Sequence, residues 1–179
     1  MSRIALRVIA VAGVIALLGV GSYAIAGSGS NSFKGDPMLG YAENPDVSTT
    51  GVGSFDAKLS SDGSSLHYVL SYSGLEGTVL QSHVHFGKTA INGGISFFLC
   101  TNLGNGPAGT PACPQEGTVE GDIEAADVIG PAGQGIEVGN LAEIVAAMRA
   151  GHAYANVHSS KWPGGEVRAQ LNDKGESRD

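Results

Sequence analysis

Five histidines are spread through the chain, and two of them stand one residue apart in His83-Val84-His85. Along a β-strand successive side chains point to opposite faces, so residues two apart share a face at a spacing of about 6.5–7 Å. Two inclined imidazoles at that spacing reach one ion, and neutral imidazole suits copper, zinc and nickel. A second stretch, His152-Ala153-Tyr154-Ala155-Asn156-Val157-His158, repeats the alternation. Its small apolar residues form one face, and His152, Tyr154, Asn156 and His158 form the other. If the two strands are neighbours, imidazoles converge, and His83, His85 and His158 make a copper or zinc site in outline. His152 and His158 lie roughly 20 Å apart along a strand, so they cannot share an ion, and His152 is the weaker candidate. The other role open to these rings is structural: His85 or His158 could hold a neighbouring loop by hydrogen bonds to its backbone. His67 sits on a polar strand face with no partner evident in the sequence and reads as a surface residue.

Other chemistry is sparse. The chain has no nucleophile elbow, phosphate loop, dinucleotide fingerprint or H-E-x-x-H, and no catalytic residue is assigned. Glu166 and Arg168 follow a Pro163-Gly164-Gly165 turn and share a strand face. They read as an ion pair or as hydrogen-bond anchors for loops. Pro-Gly-Gly demands a tight turn with a residue at positive φ. Trp162, at the tip of that turn, reads as either a packed lid or a binding contact.

The elements that must position these residues are strands. Period-two alternation, the strand signature, recurs over residues 53–59, 66–72, 79–86, 95–100, 118–123, 152–158 and 166–171. Val84, between the two histidines, belongs to the core set, so His83 and His85 point away from the core, where a loop could cover them. One segment breaks the period. Leu141, Ile144, Val145 and Met148 recur at helical spacing, with Asn140 as a cap, Glu143 three residues on, and Gly151 as a left-handed stop. Seven strands and one short crossover helix predict an all-β protein, a Greek-key β-sandwich. The two cysteines, Cys100 and Cys113, are most simply a disulfide across a Gly- and Pro-rich loop, which chain-entropy arithmetic values at about 3 kcal/mol.

Residues 1–26 read as a secretory signal: Arg3 and Arg7, an apolar run from Val8 to Val20, and Ala24-Ile25-Ala26 before the expected cut. The apolar run is short for a bilayer span. No twin-Arg pair or lipobox cysteine is present, so the Sec route to a secreted or periplasmic location is expected. The alternative is an uncleaved N-terminal anchor. Loss of Arg3 and Arg7 takes the net charge from −7 to −9, a balance that argues against nucleic acid and anionic lipid and suits cations. Residues 27–50, rich in Gly, Ser, Asn and Pro, read as a flexible linker or arm. The folded domain is expected over 51–172, with a charged tail at 173–179.

Four motifs occur in order: Gly74-Leu75-Glu76-Gly77; Ser82-His83-Val84-His85-Phe86-Gly87; Ala150 to Ser159 around Asn156-Val157-His158; and Pro163 to Leu171 around Gly165-Glu166-Val167-Arg168. Together they resemble the CHRD (chordin) domain, from about Val52 to Leu171. The family often has Asn in place of His152 and Gly in place of Ala169, departures that leave the H-x-H and N-V-H elements untouched. The resemblance implies an immunoglobulin-like or Cu,Zn-superoxide-dismutase-like sandwich in an extracellular or bacterial secreted protein. Those dismutases hold copper with an H-x-H pair and further histidines on other strands, outside the barrel under loops, where His83, His85 and His158 would fall. No second His/Asp cluster for zinc and no bridging histidine occur, and a fold alone licenses no activity. The first expectation is a non-enzymatic binding module with an extracellular or envelope partner. The alternative is a copper or zinc protein, or a copper-dependent redox enzyme.

Overall fold

The computed structural model describes residues 30–173. The signal sequence expected at 1–26 and the last residues of the expected tail lie outside them. Eight strands form one antiparallel sheet: β1 (Ser32–Leu39), β2 (Val52–Leu59), β3 (Ser65–Ser73), β4 (Val79–Phe86), β5 (Gly94–Thr101), β6 (Gly117–Glu124), β7 (Ala153–Ser159) and β8 (Val167–Asp173). Their order is β5-β4-β7-β8-β1-β2-β3-β6. The sheet folds over on itself, so that β5-β4-β7-β8 faces β1-β2-β3-β6 across one core. The outer strands β5 and β6 come together, and the Tyr68 hydroxyl of β3, next to β6, donates to the Leu99 carbonyl of β5 at 2.6 Å.

Alternation drives this closure. Phe33, Phe55, Leu70, Val84, Val157 and Leu171 point inward from six different strands and are buried in one cluster. Each such side chain contributes about 1.5–3 kcal/mol on leaving water. The β6–β7 crossover carries α1 (Leu141–Arg149), whose Leu141, Ile144, Val145 and Met148 are buried. Asn140 Oδ1 accepts from the Glu143 N–H, and Gly151 takes the left-handed stop with φ 69°. Cys100 and Cys113 are bonded, with their Cα atoms 5.1 Å apart.

The expected flexible linker at 27–50 is corrected. Residues 32–39 are β1, paired with β2 on one side and β8 on the other. A short 3-10 turn at Gly40–Ala42 follows, and Glu43 and Val47 behind it are buried. The domain therefore begins well before residue 51. Alternation fails in β1 because Gly35-Asp36-Pro37 interrupts it, and the pairing slips there: Gly35 faces Phe55, but the next aligned residue is Met38, facing Gly53. Proline lacks the ladder N–H and forces such an irregularity.

Candidate metal centre

β4, β7 and β8 lie side by side, and cross-strand pairing lines up their outward residues. His83 faces Asn156, which faces Arg168; His85 faces Tyr154, which faces Gln170. Directly opposed side chains start only about 4.5–5.5 Å apart, so this outer face gathers two histidines with His158 one step along β7. Donor nitrogens of His83, His85 and His158 all lie within 4.8 Å of one another. His83 Nδ1 and His158 Nε2 are 3.1 Å apart. Two nitrogens bound to one tetrahedral ion at about 2.0–2.1 Å stand roughly 3.3 Å from each other.

This face is outward from the core but is not exposed. His83, His85 and His158 are 0%, 7% and 6% exposed. Two segments bond to them, the 87–93 loop ahead of β5 and the 160–165 turn, and Glu43 of the 40–50 segment lies against Gly165 of that turn.

The cover is tied to the histidines themselves. The Gly93 carbonyl accepts from His85 Nδ1 and the Pro163 carbonyl accepts from His158 Nδ1, each at 3.0 Å. A carbonyl can only accept, so both rings carry their proton on Nδ1 and turn a lone pair outward on Nε2. His85 Nε2 is buried without a hydrogen-bond partner, and so is His83 Nε2. An unpartnered buried polar atom costs about 1–3 kcal/mol. The His158 Nε2 lone pair has Asn156 Oδ1 at 3.0 Å and His83 Nδ1 at 3.1 Å. A proton on His83 Nδ1, the Asn156 amide N–H or a cation can satisfy it there.

Burial drives His83 down to about 2, helped by His158 and His85. Burial also lowers His85 to about 4, against the opposing bond to Gly93, and lowers His158 against its bond to Pro163. All three are neutral at neutral pH, the form that ligates metal.

Behind the trio, Tyr154 stacks parallel on His85 with ring centres 4.8 Å apart, and the Arg168 guanidinium lies 3.3 Å from the centre of the Tyr154 ring. Arg168 donates to the carbonyls of Lys88 and Ile91. Phe98 meets His83 edge-on at 4.4 Å. Glu166 Oε1 accepts from the Thr49 hydroxyl and the Glu76 N–H. Of the two roles open to Glu166 and Arg168, loop anchoring is the one found. Gly165 has φ 130°, and a Cβ there would run into the Glu43 carboxylate, so only glycine fits.

His152 is exposed and outside the trio. His67 is exposed too, but it has a partner, Asp122 on β6, at 3.0 Å. Sequence reasoning missed Glu43, which is 6% exposed, with Oε1 unpartnered. Burial pushes its carboxyl up to about 7, against the opposing pull of Arg168. A short segment without period-two alternation carries no signal for such a residue.

Architecture and site together make this an antiparallel β-sandwich protein with an imidazole trio buried under its loops. The chain belongs to the CHRD domain family, whose model matches residues 37–171. That match begins inside β1, earlier than the Val52 boundary expected from the motifs. Comparisons with curated proteins and with solved structures gave no match.

Proposed function

We propose that this protein is an exported CHRD-domain module that holds one copper or zinc ion through His83, His85 and His158. The observation that carries the reading is that three buried imidazoles bring one ligand nitrogen each within 4.8 Å of one another, with Nε2 of His85 unpartnered and the Nε2 lone pair of His158 turned to His83. The loop-anchoring and ligand roles are compatible, because Nδ1 of His85 and of His158 serves the loops while Nε2 stays available. Imidazole nitrogen favours copper and zinc over calcium or magnesium. Bound there, the ion would supply a Lewis-acid or, for copper, a redox centre; the chain's own residues hold it, orient it and exclude water. Export through the Sec route and an extracellular or envelope setting accompany this reading. Titrating tag-free protein with Cu²⁺ and with Zn²⁺ at neutral pH tests it: uptake of one ion per chain is expected, and its loss in His85→Ala but not in His67→Ala.

A further inference from the structure

The three histidines are closed off from solvent, so an ion needs a way in. A cavity of about 130 Å³ lies at β8, the strand next to β7, lined by Tyr41, Glu43, Asp46, Thr89, Ala90 and Arg168, among others. Glu43 lines it: the side chain is buried, its Oε1 has no partner, and its carboxylate lies against Gly165, in the turn whose Pro163 carbonyl accepts from His158. Asn156 Oδ1 touches His158 Nε2. Glu43 is not grouped with the trio's donor atoms, so it is placed between cavity and ligands rather than among the ligands. Arg168 also borders the cavity, but its guanidinium is turned to the Lys88 and Ile91 carbonyls and the Tyr154 face. The 40–50 and 87–93 segments that line it are joined by two side-chain bonds, Asn44 Nδ2 to the Ala90 carbonyl and Asn92 Nδ2 to the Asn44 carbonyl. Ala90 holds φ 60°, a left-handed conformation uncommon outside glycine.

We infer that Glu43 is the loading carboxylate of the metal centre, taking a divalent cation from the Asp46-lined cavity and passing it to the histidines. The inference rests on the reading of His83, His85 and His158 as ligands. A transit group lowers the barrier in both directions, so it changes rates and leaves equilibrium affinity nearly alone.

Stopped-flow uptake of Zn²⁺ by the tag-free protein, with release to a chelator, tests it. Glu43→Gln should load and release about tenfold more slowly while affinity changes less than about threefold. Glu43→Asp, which keeps the carboxylate, should recover most of the rate. Wild-type rates in Glu43→Gln would overturn the route and leave the trio standing. So would an affinity loss as large as the slowing, which marks a ligand or a structural support. A wild-type protein that takes up no Zn²⁺ or Cu²⁺ overturns the trio, and the route with it.

Discussion

Two outer faces of the same sheet carry histidine, one on the first and three on the second, and they differ in what lies over them. On β3 and β6, His67 is open to solvent and pairs with Asp122, while Ser71 pairs with Thr118. On β4 and β7, His83, His85 and His158 are buried under loops, and two of the rings keep unpartnered nitrogens. The strand pattern is the same on both. The difference is the cover: Arg168 holds the 87–93 loop, Glu166 holds the 40–50 segment through Thr49, and His158 holds the 160–165 turn. Alternation puts a side chain on the outer face; the loops decide whether water or a neighbouring ring meets it there.

The comparison breaks most sharply on metal affinity. Alanine at His83, His85 or His158 should weaken Zn²⁺ or Cu²⁺ binding at least about 100-fold by titration calorimetry, and alanine at His67 or His152 should leave it unchanged. Stability gives the next contrast. Arg168→Ala should cost on the order of 3 kcal/mol in denaturant melts, because it leaves the Lys88 and Ile91 carbonyls without their donor. His67→Ala should stay within about 0.5 kcal/mol. Cys100→Ser with Cys113→Ser should cost about 3 kcal/mol at the closed loop.

Acid gives the most diagnostic effect. His83 and His85 have folded values below the unfolded one of 6.5. The unfolded chain therefore takes up protons first, and the metal-free protein should lose stability as pH falls from about 6.5 through about 4. Glu43 has the opposite sign. Its value is raised from 4.5 to about 7, so its contribution is complete below about 4.5 and is lost as pH rises through about 7. Melting temperatures against pH should show the acid loss flattened in His85→Ala and the neutral-side loss flattened in Glu43→Gln.

Much of this is legible in the residues. The seven alternating segments are strands, the 3.6-period segment is α1 with its Asn140 cap, and the two cysteines are joined. The outward placement of His83 and His85 follows from Val84 being a core residue. What the pattern cannot supply is strand order: the trio exists because β7, which begins at Ala153, lies beside β4, which ends at Phe86. Gly35 and Pro37 hide β1, and with it Glu43 and one wall of the site. The depth of the histidines is hidden as well, since a polar strand face reads the same whether a loop covers it or not.

The most direct test is the metal content of tag-free protein after loading with copper or zinc at neutral pH and removal of free ion. One ion per chain, lost in His85→Ala and retained in His67→Ala, is the predicted result. Less than about 0.1 ion per chain in the wild type would contradict the account.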